Sequence, residues 1–118
     1  MIKLGEKALY HNAVLGKIRK NIIKKIATHS KESINIEDNY NILPMVYAAL
    51  LGNKEIVLEF LRLGSFIHSK KKIEAKAIKK FSPMLKNLEK LTQDVEDLSD
   101  LKNLKTVADQ VKKDFGVL

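Results

Sequence analysis

No cysteine and no tryptophan occur among the 118 residues. The first absence excludes disulfides, thiolate metal sites and a cysteine nucleophile. It is compatible with a reducing compartment without demonstrating one. Proline occurs twice and glycine five times, which is sparse punctuation for a strand-and-turn-rich fold and favours an all-helical chain. Long hydrophobic runs are missing too. The uncharged stretch from Asn39 to Gly52 is too short to span a bilayer and contains Pro44. The opening MIKLGEKALYHNAVLGKIRK has no apolar core of a secretory signal. These absences lead us to expect a soluble, cytoplasmic protein with no membrane association; delivery into a host cell is compatible with the same features.

What is present points to a folded domain. Apolar residues make up 45% of the chain, so burial can offset ordering entropy, and the length suits one domain with a modest core. The net charge is +8, unevenly spread. Residues 1–90 hold 18 Lys/Arg against 8 Asp/Glu, whereas residues 91–118 hold 4 against 6. The basic character therefore belongs to the body of the chain, and the last segment is mildly acidic.

Residues 38–67 are the most organised stretch. Pro44 suits the first turn of a helix running to Leu51. A turn at Gly52-Asn53 follows, with Asn53 as N-cap of a second helix to Leu63. Ile56, Val57, Phe60 and Leu61 lie on one face of that helix, and Gly64 suits the left-handed position that ends it. Two short helices so closely joined cannot bury both apolar faces alone and need neighbours. Upstream, Ala8–Leu15 and Lys17–Thr28 repeat the organisation less cleanly around Gly16. Downstream, SFIHSKKK is a basic connector, and Ile73–Phe81 is expected to be helical. Ser82-Pro83 then reads as an N-cap and first-turn pair. Met84, Leu88, Leu91, Val95 and Leu98 follow at alternating four- and three-residue steps. Ser99-Asp100 is expected to cap a last helix carrying Leu101, Leu104, Val107, Ala108, Val111 and Phe115.

In these residues, segment 38–67 resembles an ankyrin repeat. Asp38 stands at the family's opening acidic position, Pro44-Met45 at its Pro-Leu, Ala48-Ala49 at its paired alanines and Gly52 at its turn glycine. Glu55-Ile56-Val57 matches the E-V-V element, Phe60-Leu61 two closing leucines, and Gly64 the final glycine. Asn41 replaces a glycine, a mild change because Asn tolerates the same backbone region. Leu43 and Val46 replace the family's threonine and histidine, so the side-chain hydrogen bonds usual there are absent. Residues 5–37 resemble a degenerate first repeat, with glycines 16 and 52 spaced 36 apart against a family period of about 33. Ile34–Asp38 resembles the finger-like hairpin. The resemblance covers about half the chain and implies an all-α fold: two ankyrin-like helix pairs, closed by a helical cap over residues 73–118. In one core we expect Met45, Ala48, Ala49, Ile56, Val57, Phe60 and Leu61 together with Ile22, Ile23 and Ile26.

No catalytic constellation emerges, and no cofactor or metal is expected. His11, His29 and His68 lack metal-ligand spacing and read as structural or surface residues. There is no nucleophile elbow and no phosphate-cradling glycine loop. The cluster Asp94, Glu96, Asp97 and Asp100 reads as a solvated helix end. By the resemblance, partner contact falls on the finger tip and the positions before the turn glycine: Asn39, Tyr40 and Ile42, then Leu50 and Leu51, with Val14 and Leu15 as the upstream pair. The last four would form an apolar strip on the concave side unless the C-terminal helices or a second copy cover it. Lysines 20, 24 and 25, with Lys70, Lys71 and Lys72, supply a basic surface. It is either ordinary solvation or an attractor of acidic protein or nucleic acid. Interleaved aromatics, which would favour single strands, are lacking in the sequence around them.

The sequence thus leads us to expect a non-catalytic protein-interaction module of adaptor, inhibitor, immunity or effector type. Self-association through the C-terminal helices, as a homodimer, and basic nucleic-acid binding are the alternatives.

Overall fold

The computed structural model describes residues 34–68 and 70–117. Among them every regular element is helical. Helix α1 spans Pro44–Leu50 and α2 spans Lys54–Arg62. Helix α3 covers Ala75–Phe81 and runs directly into a 3-10 helix over Ser82–Thr92. The last helix, α4, spans Leu98–Asp114. The expected core members Ile22, Ile23 and Ile26 lie outside the described residues.

Local chemistry sets these boundaries. Pro44 opens α1, where its missing N–H costs nothing. The Asn53 side chain caps α2 by accepting from the Ile56 N–H at 3.2 Å. Both helices end in the same way. Gly52 and Gly64 adopt φ +71° and +88°. Gly52 N–H donates to Ala49 and Asn53 N–H to Ala48, while Gly64 donates to Leu61 and Ser65 to Phe60. This paired bonding satisfies the last carbonyls through a left-handed residue. Gly116, with φ +76°, closes α4 identically, its N–H donating to Lys113 and that of Val117 to Lys112.

The C-terminal part departs from the sequence expectation in three ways. Ser82 is not an N-cap: its backbone is helical, and its hydroxyl donates back to the Ile78 carbonyl. The stretch after it is a 3-10 helix, and Leu85, Leu88 and Leu91 recur at its three-residue period. Leu88 and Leu91 are consequently buried, with Leu85 and Met84 packed at the edge. Finally, α4 starts before Ser99. Asp97 is its cap, accepting from Asp100 N–H at 2.9 Å. Leu98 stands 79% exposed rather than completing an apolar row.

All seven residues of α1 are buried, which makes it the central helix. Around it lie Ile56, Val57 and Phe60 of α2, Ala77 of α3, Leu88 and Leu91, and Leu104, Val107 and Val111 of α4. Leu61 is only partly buried, because Phe60, one residue earlier, takes the inward position. The 3-10 helix is in contact with all four α-helices. Asn87 Nδ2 donates to the Leu50 carbonyl at 2.9 Å, anchoring this segment on the end of α1. Lys54 Nζ reaches the Gln93 and Asp94 carbonyls and fixes the turn leading to α4. No helix among the described residues is long and apolar enough to cross a membrane.

Candidate functional site: a braced finger and its groove

Residues 38–42 form a tight turn built on one carboxylate. Asp38 Oδ1 accepts the N–H groups of Tyr40 and Ile42 at 2.9 and 3.0 Å. Its backbone N–H donates to the Ile42 carbonyl, and its carbonyl accepts from Asn41 N–H. Asn41 sits at φ +66°, the left-handed conformation that an asparagine tolerates in place of glycine. The second carboxylate oxygen accepts the hydroxyl of Tyr47 from α1. That phenol is held protonated well above the usual tyrosine range, first by burial, then by the hydrogen bond to Asp38 and the charge of that carboxylate. The turn is therefore locked to the central helix by a charge-assisted bond.

A second segment, residues 64–74, lies alongside. Asn35 bridges it by accepting from Phe66 N–H at 2.8 Å and donating to Gly64 O at 3.4 Å. Glu37 accepts the Lys70 N–H at 2.6 Å, Asn41 donates to the Lys72 carbonyl at 2.9 Å, and Glu74 N–H donates to the Tyr40 carbonyl at 3.0 Å. Tyr40 and Tyr47 both meet the Phe81 ring edge-to-face, at 6.2 and 5.5 Å between centroids. Between turn and segment opens a groove of about 590 Å³ lined by Asp38, Asn39, Tyr40, Glu74 and Lys76. A second groove of about 450 Å³, bounded by Leu88, Thr92, Leu101, Lys105 and Ala108, separates the 3-10 helix from α4.

The sequence-derived contact residues fare differently. Asn39 is exposed and Tyr40 half-buried at the turn tip, and Lys70, Lys71 and Lys72 are exposed beside it. Of the expected apolar strip, Leu50 is covered and Leu51 is half-buried. Ile42 and Leu50 are both 0% exposed. Ile42 is turned into the core beneath the finger, and Leu50 is closed off where the 3-10 helix lies across the end of α1. Leu51 keeps partial exposure. Val14, Leu15, Lys20, Lys24 and Lys25 lie outside the described residues. The expectation that no aromatic lies among the lysines also fails. Lys70 Nζ sits over the Phe66 ring at 5.9 Å, and Lys80 Nζ lies 5.8 Å from the Tyr40 and 5.5 Å from the Phe81 centroid. These rings come from sequence-distant or neighbouring turns, which linear interleaving does not detect. Glu74 and Phe81 were missed as site neighbours. The signal that could have found them was the period of about 33 residues implied by the ankyrin resemblance, which would set residues 70–74 beside 37–41.

Among the described residues no group of three or more His, Asp or Glu is placed to hold a metal ion. What the described residues define is an all-helical arrangement presenting a hydrogen-bonded polar turn beside a basic segment. No protein-family model, curated protein or solved structure matches this chain.

Proposed function

We propose that this chain is a non-catalytic protein-interaction module of ankyrin-like build, which meets a protein partner through the finger at Asn39 and Tyr40 and the adjoining groove. The observation that carries the reading is the bracing of that finger on the segment one repeat later. Four of the connecting hydrogen bonds join residues 29, 31, 31 and 33 positions apart, close to an ankyrin period of about 33. Successive fingers held side by side in this way form a rigid edge, and rigid edges bind with little ordering cost. Paired glycine-ended helices at α1 and α2 add support. Ile42 enters this reading as a support of the finger and Leu50 as a core residue at the other end of α1, neither as a contact, because both are buried.

A pull-down from native lysate tests it, comparing the wild-type chain with the Asn39→Ala/Tyr40→Ala variant checked for fold by circular dichroism. Loss of a partner from the folded variant is the expected result. An identical partner set for both proteins would sink the finger as the contact.

A further inference from the structure

We propose that the lysine face formed by Lys70, Lys71, Lys72 and α3 docks an acidic peptide segment of the partner, extended and with carboxylates at alternate positions. This rests on the interaction-module reading and names the chemistry of its partner.

The face is dense in one charge. Residues 66–80 hold six lysines and a single acidic residue, Glu74. Lys70, Lys71, Lys72, Lys76, Lys79 and Lys80 are all exposed. Among the described residues the ion pair present is Arg62–Glu59, so the described carboxylates neutralise none of these six cations, of which Lys70 and Lys80 lie over aromatic rings. The C-terminal acidic group sits elsewhere, where Lys54 meets the carbonyls of Gln93 and Asp94 beyond the Gly52 turn.

Geometry selects the occupant. Lys76 and Lys79 are one helical turn apart on α3, and Lys76 and Lys80 share the same side; such pairs are separated by about 5–6 Å. Alternate side chains of an extended peptide repeat every 6.6–6.8 Å or so, twice the strand rise of about 3.3–3.4 Å. Lys72 lies in the segment just before α3, its carbonyl held by the Asn41 side chain. Lys76 also lines the groove, with Asp38, Asn39, Tyr40 and Glu74, so this cation stands where the finger meets α3. Single-stranded nucleic acid fits less well. It would need free aromatic faces for base stacking, and here ammonium groups lie over Phe66, Tyr40 and Phe81.

The test is fluorescence anisotropy with a labelled peptide of alternating Glu and Ser. Wild-type protein should bind it at low salt, and the affinity should fall as salt rises. Lys72→Glu/Lys76→Glu/Lys79→Glu should weaken binding by about tenfold or more. Lys102→Glu/Lys105→Glu/Lys113→Glu makes the same change in net charge on exposed positions of α4 and should change it little. Equal weakening by both variants would reduce the effect to net charge and overturn the proposal, as would no binding by the wild type. Tighter binding of a labelled single-stranded oligonucleotide, lost in the α3 variant, would reassign the face to nucleic acid. The pull-down keeps the two readings apart. A partner retained by the lysine variant but lost by Asn39→Ala/Tyr40→Ala removes this inference and leaves the finger standing. A partner lost only by the lysine variant removes the finger.

Discussion

Asp38 and Tyr47 concentrate the local energetics of the finger. One carboxylate satisfies two backbone N–H groups and a buried hydroxyl. Replacing Tyr47 by Phe keeps the ring packing on Phe81 and deletes the bond. Asp38 retains its two N–H partners, so the loss should fall near the low end for a bond to a charged group, about 1.5 kcal/mol, measured by urea unfolding. The pH dependence has a definite sign. The folded-state pKa of Tyr47 lies above its unfolded value of about 10. Its contribution is therefore fully present below about pH 10 and is lost as pH rises above that. Tyrosinate absorbance should show Tyr47 ionising only as the fold opens, a late component missing from Tyr47→Phe. A Tyr47 signal that titrates at the ordinary tyrosine pH in the folded protein would contradict the buried bond.

At the scale of elements, the glycine turns are not equivalent. Gly52 and Gly64 both need a left-handed backbone, but their surroundings differ. A Cβ at Gly52 would stand 2.9 Å from the Asn87 carbonyl oxygen and 2.9 Å from Lys90 Cδ, while one at Gly64 would meet nothing within 4 Å. Gly64→Ala should thus cost the backbone strain alone, about 1 kcal/mol. Gly52→Ala should cost about 3 kcal/mol, since overpacking against the 3-10 helix adds to the strain. Thermal melts of the two variants check the ordering, and equal shifts would mean that the 3-10 helix does not bear on this turn. The turns themselves were legible in the sequence: Pro44, Gly52, Asn53 and Gly64 each have a backbone reason to be where they are. The 3-10 helix was not. Its leucines at positions 85, 88 and 91 fit a three-residue period, but Met84, Leu88, Leu91 and Val95 fit a helical row as well. Periodicity alone does not separate the two.

For the whole molecule, the C-terminal segment decides what the rest can present. Leu88 is 1% exposed among residues of α1 and α4, whereas Leu98 is 79% exposed. Leu88→Ala should cost about 2–5 kcal/mol and Leu98→Ala less than about 0.5 kcal/mol, as read by denaturant midpoints. A reversal of that order would place the apolar row of this segment on the other side. The same logic corrects the weight of Leu61, whose partial burial leaves Phe60 as the core residue of α2. The sequence by itself determined the helical class of the described residues, the α1–α2 pair with its caps, and the finger's Asp38 and Asn41. These follow from backbone chemistry acting within a few residues. Only the tertiary structure decided that Ile42 and Leu50 are covered, that Asp97 rather than Ser99 starts α4, and that Phe66, Tyr40 and Phe81 lie under lysine ammoniums. The covering of Ile42 and Leu50 and the meeting of Tyr40 with Lys80 depend on which distant segment packs against which face, a choice that a local pattern of apolar and polar residues leaves open. Asp97 and Ser99 are rival caps two residues apart, and only the folded backbone shows which one bonds.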